Sequence, residues 1–187
     1  MNDPALPTHG LTTALEGTGH RPWDPDAPID APLCLLQTTV APQWVDYNGH
    51  MSESCYLLVF GDNSDAFFRF IGIGEAYRAS GFSLYTVQTH LHNLQEVAQG
   101  EPIRLTLQLL DADDKRLHIF HAMFHGASGA LLATGEQMLV HVDMRSGRAA
   151  PMPQALQHKV QAILAAHQAL ARAPQVGQPM GIRRKAR

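Results

Sequence analysis

The chain is expected to fold as an α+β domain, with one long helix packed against a strongly bent antiparallel sheet. Three observations predict this. First, the segment from Ser52 to Ile71 carries Tyr56, Leu57, Val59, Phe60, Phe67, Phe70 and Ile71 on most faces of one helix, and a helix that is apolar nearly all round is a buried one. Second, four strand-like runs follow: Phe82 to Leu94, Pro102 to Leu110, Leu117 to Phe124 and Ala130 to Val142. The breaks between them, Gln99-Gly100-Glu101, Asp111-Ala112-Asp113-Asp114 and Gly126-Ala127-Ser128-Gly129, are turn-rich and short enough for hairpins. Third, Ile103, Leu105, Leu107 and Leu109 alternate with Arg104, Thr106 and Gln108, the pattern of a sheet with one wet face. The expected order is therefore strand, long helix and a four-strand antiparallel meander.

Taken in order, residues 1–32 are rich in Pro, Gly, Thr and Asp, with Pro22, Pro25, Pro28 and Pro32 closing the segment. No period of 2 or 3.6 runs through them, so they are expected to form an irregular extension that Trp23 and Ile29 pin to the domain. Leu33 to Val40 reads as the first strand, and Pro42 ends its ladder or sets it at an edge. Asp62, Asn63, Ser64 and Asp65 interrupt the long helix, and polar groups there must meet solvent or line a ligand cavity. Gly72, Gly74 and Gly81 bracket a turn region holding Tyr77-Arg78. Pro151 and Pro153 stop the sheet. Gln154 to Ala171 is a last helix with Leu156, Val160, Ile163, Leu164 and Leu170 on its apolar stripe. Arg183-Arg184-Lys185 and Arg187 make a basic, solvated tail. The chain thus divides into an extension over 1–32, the α+β domain over 33–153, and a helix with its tail over 154–187. A single-layered sheet leaves an edge open, and edge pairing into a homodimer or a dimer of dimers is expected.

At 187 residues the chain suits one domain with extensions and can bury a sizeable core. An apolar fraction of 45% and a charged fraction of 17% are those of a globular protein. The formal net charge of −3 gives no reason to expect a nucleic-acid partner. Two cysteines, Cys34 and Cys55, build no disulfide framework, which suits a reducing cytoplasm. No secretory signal is expected from the first residues, and no apolar run reaches the roughly 18 residues of a spanning helix. A membrane is therefore not an expected partner.

The chemistry is expected in the stretch Trp44-Val45-Asp46-Tyr47-Asn48-Gly49-His50-Met51, between the first strand and the long helix. Such a turn sets the carboxylate of Asp46 beside the first free N–H groups of a helix, which can receive negative charge developing on a substrate oxygen. A carboxylate beside an oxyanion site suits acyl transfer or hydrolysis. Asn48 and His50 either orient an attacking water or hold the turn. The eleven histidines invite a metal, but His118 and His121 fall on opposite faces of a strand, so no metal is expected. The chain has neither a nucleotide-binding glycine loop nor a G-x-S-x-G elbow, and no cofactor is expected.

Strand, Asp-x-x-Gly-His-Met turn, buried helix and antiparallel strands in that order resemble the hotdog-fold thioesterases of the 4-hydroxybenzoyl-CoA thioesterase type, over about Leu33 to Pro153. Three segments are similar to the betainyl-CoA thioesterases of carnitine degradation. They are Trp44 to Met51, Asp114-Lys115-Arg116-Leu117-His118-Ile119-Phe120-His121 and Ala133-Thr134-Gly135-Glu136-Gln137-Met138. The resemblance implies hydrolysis of betainyl-CoA to glycine betaine and CoA, by domains that also occur fused to L-carnitine dehydrogenases. It places the family's catalytic carboxylate on Asp46 and its oxyanion N–H near Glu53. This chain departs from the pattern after the His-Met pair, with Ser52-Glu53 where relatives commonly have Asn. Hydrolysis of another short or medium acyl-CoA, or non-catalytic binding of an acyl-CoA, are the alternative readings.

A betainyl group carries a trimethylammonium, which aromatic faces and carboxylates bind. Trp44, Tyr47, Phe60 and Tyr85, with Asp62 and Asp65, are the candidates for it, and His90 or His92 for the pocket wall. Lys115 and Arg116 at a hairpin, with Arg145 and Arg148 after the last strand, are the candidates for the CoA phosphates.

Overall fold

The computed structural model describes residues 21–182; residues 1–20 and the basic tail expected at 183–187 lie outside them. Strand β1 (Leu33–Thr39) leads through a 3-10 turn, Pro42–Trp44, to helix α1 (Glu53–Ile71) and the short helix α2 (Glu75–Ala79). Strands β2 (Phe82–Asn93), β3 (Pro102–Ala112), β4 (Arg116–His125), β5 (Leu131–Asp143) and the two-residue β6 (Arg148–Ala149) follow, and helix α3 (Gln154–His167) is the last element. The α+β class and the order of the elements agree with the sequence.

The pairing differs from the expected meander. The sheet is antiparallel in the order β1-β3-β4-β5-β2, with β6 beside β5. Strands β3, β4 and β5 form hairpins, but β2 lies against β5 and does not touch β3. Residues 94–101 therefore make no hairpin. They cross to the Asp46 turn, where Val97 accepts the Met51 N–H at 2.9 Å and Ala98 bridges His50. Alternation fixes which face a residue takes, but it carries no information about which strand lies alongside.

Helix α1 lies along one face of the sheet. Phe67, Phe70 and Ile71 join Leu107, Leu109, Leu117, Ile119 and Leu139 in one buried cluster, to which α3 adds Leu156, Val160 and Ile163. Val59 and Phe60 join Leu105, Ile103 and Met123 in a second cluster. Gly135 sits where a Cβ would come within 3.0 Å of Phe60 Cδ2, so the missing side chain is what lets the helix approach β5. Trp23 and Ile29 pack on the first cluster, with the Trp23 ring 5.3 Å from that of Phe70, as expected of the pinning residues.

The expected wet face of the sheet is partly covered. Leu110, Phe120 and Ala122 are buried there beneath Ala173 and Val176. The segment after α3 is drawn across this face by Arg172, which donates to the Leu110 carbonyl (3.2 Å), and by the Gly177 N–H, which donates to Glu136 (2.8 Å). Helix α3 ends at His167 rather than Ala171. Gln168, Ala169 and Ala171 are exposed, so no packing sustains another turn.

Candidate active site

The turn from Val45 to Met51 is closed by its own hydrogen bonds. The Asp46 N–H donates to the His50 carbonyl (3.1 Å) and the Gly49 N–H to the Asp46 carbonyl (3.0 Å). The Asn48 N–H donates to Asp46 Oδ1 at 2.7 Å, an Asx turn. Gly49 has φ +80°, which a glycine adopts without strain. The Ser52 N–H reaches back to the Trp44 carbonyl at 2.8 Å. The carboxylate of Asp46 is thus held by a closed loop, with Oδ1 committed to the turn.

Helix α1 starts two residues beyond this loop. Its N-cap Ser52 makes no side-chain capping hydrogen bond and instead touches the Ser54 hydroxyl at 3.4 Å. The Cys55 N–H returns to the Ser52 carbonyl at 2.9 Å. The positive end of a 19-residue helix therefore opens, uncapped by a side chain, beside Asp46.

Between the turn and the end of β2 lies an open cleft of about 560 Å³, lined by Asp46, Asn48, His50, Met51, Glu53 and Tyr56 on one side and by Asn93, Leu94, Gln95 and Glu96 on the other. Three of these are carboxylates, and among the described residues no Lys or Arg lines the cleft. His50 Nδ1 is 3.2 Å from Glu96 Oε2. The Tyr56 hydroxyl donates to the Gln95 carbonyl at 3.2 Å. Burial, reinforced by the negative charge of Glu96, raises the Tyr56 phenol above its ordinary range and keeps it a donor. Loop residues Gln95 and Glu96 went unnoticed in the sequence because no periodicity or motif marks them.

The structure brings Asp46, Asn48, His50 and Glu53 together around this cleft, and the other expected residues are not among those lining it. Trp44 packs against the cluster of Met51, Tyr56 and Val59. Tyr47 projects from the tip of the turn, 97% exposed. Phe60 is fully buried and stacks on the His121 ring at 5.3 Å. Asp62 and Asp65 are buried in α1, where Asp65 accepts from Arg69 Nε at 2.6 Å. Tyr85 stands half-exposed on β2. His90 and His92 line a separate cavity of about 700 Å³ beneath residues 174–181, and His90 also lines one of about 370 Å³ beside His118 and Glu136.

The basic candidates lie at the far end of the sheet. Arg116 pairs in register with Val140, itself opposite Tyr85, while Arg148 pairs with Asp143, opposite Phe82. Arg116 is bound to Asp113 at 2.6 Å, and Arg145 is bound to Asp143 at 3.0 Å and lies over the Phe82 ring. Lys115 precedes Arg116 in the same hairpin. From Tyr85 to Asn93 at the cleft is eight residues of strand, roughly 26 Å. These cations do not reach the cleft of their own chain.

The polar residues in the middle of α1 are buried and held by partners within the protein. Asn63 Nδ2 is 2.9 Å from His121 Nδ1, and Ser64 donates to Gln137 Oε1 at 3.0 Å while touching His121 Nε2 at 3.2 Å. Their partners come from strands some sixty residues onward, beyond the reach of sequence pattern.

The family model of the thioesterase-like superfamily matches residues 40–160. The chain belongs to the thioesterase-like superfamily. It is 46% identical over 153 residues to the L-carnitine dehydrogenase/betainyl-CoA thioesterase of a Rhizobium species, covering 82% of this chain and 31% of that protein. The chain thus spans about a third of the length of this bifunctional relative. It is 44% identical over 151 residues to the betainyl-CoA thioesterase of Pseudomonas aeruginosa, covering 80% of this chain and 95% of that one. Among solved structures, a proposed thioesterase of Pseudomonas putida KT2440 superposes with a TM-score of 0.71 at 32% identity, over 82% of this chain and 98% of that one.

Proposed function

We propose that the chain hydrolyses betainyl-CoA to glycine betaine and CoA, with Asp46 as the reacting carboxylate. The observation that carries this reading is the cleft lining: Asp46, Glu53 and Glu96, with no Lys or Arg among the described residues there. A cleft of that charge favours an acyl group bearing a fixed positive charge and disfavours an anionic one. The likeness to the P. aeruginosa betainyl-CoA thioesterase over nearly its whole length supports the same substrate. Tyr47, uncovered beside Asp46, offers an aromatic face to the trimethylammonium, and Trp44 belongs to the same turn.

In the reaction, Asp46 takes a proton from a water whose oxygen attacks the thioester carbonyl carbon, and the carbonyl π electrons move onto oxygen. The free N–H groups at the start of α1, near Glu53, receive that oxyanion. Its collapse breaks the C–S bond, and the CoA thiolate leaves and regains the proton from Asp46. Direct attack by Asp46, giving a mixed anhydride that water then opens, uses the same groups.

The phosphates of CoA need cations that this cleft lacks. Among the described residues, strand β2 is an edge of 12 residues with no strand beyond it, exposing Tyr85, Val87 and, just past its end, Leu94. Pairing two β2 strands antiparallel about a twofold axis near Val87 extends the sheet through a homodimer. It also carries Tyr85, Arg145 and Arg148 of a second copy, with Lys115 and Arg116 behind them, toward the Asn93 end of the first. The dimer, or a dimer of dimers, is then the working unit. We assign it to the cytoplasm; among the described residues no helix is long and apolar enough to cross a membrane.

Thiol release from betainyl-CoA, its uncharged isostere 3,3-dimethylbutyryl-CoA, acetyl-CoA, butyryl-CoA and a long-chain CoA tests the reading. A preference of roughly tenfold or more in kcat/KM for betainyl-CoA over the isostere is expected, about 1.4 kcal/mol of charge recognition. Preference for uncharged chains would keep the thioesterase and discard the betaine substrate. No hydrolysis of any member would make the chain an acyl-CoA-binding protein.

A further inference from the structure

We infer that Glu96 is a positioning residue for this hydrolysis, acting through His50: its carboxylate holds the imidazole Nδ1–H so that Nε2 presents a lone pair to the attacking water. The inference rests on the functional reading above and adds a residue to it.

Four observations carry it. Glu96 Oε2 is 3.2 Å from His50 Nδ1, and both residues line the cleft that holds Asp46. The loop bearing Glu96 is anchored on either side of it to the catalytic turn and helix. The Gln95 carbonyl accepts the Tyr56 hydroxyl at 3.2 Å, the Val97 carbonyl accepts the Met51 N–H at 2.9 Å, and Ala98 bridges His50. The carboxylate is therefore carried to His50 by backbone that the turn itself holds. Finally, Asp46 Oδ1 accepts the Asn48 N–H at 2.7 Å, which makes Oδ2 the carboxylate oxygen that the turn does not hold.

A water held by a single acceptor turns freely, whereas one whose two hydrogens point to two acceptors presents its lone pair in a fixed direction. His50 Nε2 is suited to be that second acceptor only in the tautomer whose proton sits on Nδ1, and a carboxylate at Nδ1 selects that tautomer. The charged and titratable groups facing His50 across the cleft are Asp46 and Glu53 from the turn and helix start, Tyr56 from α1, and Glu96 itself. No cation competes for the carboxylate among the residues lining the cleft.

The test measures kcat and KM of the full chain on betainyl-CoA and on 3,3-dimethylbutyryl-CoA for the wild type, Glu96→Gln, Glu96→Asp, His50→Ala and the Glu96→Gln/His50→Ala pair. Glu96→Gln is expected to lower kcat about tenfold on both substrates with KM little changed, as for loss of a group that orients a catalytic imidazole. Glu96→Asp is expected to restore part of that loss. The paired variant is expected to be no slower than His50→Ala alone, because the two residues act as one unit. A loss confined to betainyl-CoA would overturn the inference and make Glu96 a reader of the ammonium. Losses that multiply in the pair, or an unchanged Glu96→Gln, would overturn it while leaving the thioesterase intact. An inactive wild type would overturn the functional reading and this inference together.

Discussion

Asn63 and His121 meet across 2.9 Å, Nδ2 to Nδ1, and join the middle of α1 to the middle of the sheet. Both are buried. The amide N–H donates, so Nδ1 accepts and the ring proton sits on Nε2, where Ser64 and Gln137 lie 3.2 Å away. Protonating Nδ1 would set two donors against each other in a fully buried site. Burial accordingly pushes the imidazole down to about 4 from its ordinary 6.5.

A pH dependence follows from this arrangement. Between about pH 6.5 and 4 the unfolded chain binds the His121 proton and the folded chain does not, so stability rises with pH across that window. The contribution is complete above 6.5 and lost as pH falls toward 4, in all about 3 kcal/mol. Urea unfolding of the wild type at pH 7.5 and 4.5 is expected to show that loss. His121→Gln, although less stable at neutral pH, should show a shallower dependence by about one proton.

The close approach of α1 to β5 gives a second prediction. Gly135→Ala places a methyl within 3.0 Å of Phe60 Cδ2 and 3.2 Å of Cε2, and Phe60 is fixed by its stack on His121. The helix must move or the ring must leave its rotamer, at a cost of roughly 1–3 kcal/mol. The urea midpoint should fall with an unchanged m-value.

Arg69 is buried with its Nε on Asp65 and Nη1 on Glu75, both at 2.6 Å. Asp65→Ala removes its buried partner and leaves only the half-exposed Glu75. A loss of about 3 kcal/mol is expected, as for a buried charge stripped of its mate, and thermal unfolding would read it. Replacing Arg69 and Asp65 together by apolar residues should cost less than the single change.

The free edge of β2 predicts assembly. Val87 is 59% exposed at a register shift between Thr86 and Gln88, in the middle of the strand. Val87→Lys should shift the protein from dimer to monomer in sedimentation velocity, since a charge at the centre of a paired edge opposes pairing. On the proposed pairing, in which a second copy supplies the cations for CoA, thioesterase activity should fall with it.

Much of this architecture was legible in the sequence. The apolar faces of α1 and the alternation in β3 each announced an element, and the Asp-x-x-Gly-His-Met turn marked one wall of the cleft. What stayed hidden depended on neighbours. The eight residues between β2 and β3 look like a hairpin loop, and only the fold shows Val97 and Ala98 clasping Met51 and His50. Asn63 and Ser64 look like cavity or surface because their partners His121 and Gln137 arrive from other strands. Arg116 and Arg145 look like phosphate ligands of their own chain's cleft, and only the register sets them a strand's length from its Asn93 end. Charge and residue type suggest a role, but distance assigns it.

The measurement that bears most directly on the central claim is thiol release from betainyl-CoA by the wild type and by Asp46→Asn. The variant keeps the acceptor that closes the Asx turn on the Asn48 N–H and removes the charge that takes the proton, so the fold should persist. A fall in kcat of roughly 10²-fold or more is expected, with circular dichroism and melting temperature close to wild type. Turnover by Asp46→Asn within a few-fold of wild type would contradict it and remove Asp46 from the reaction.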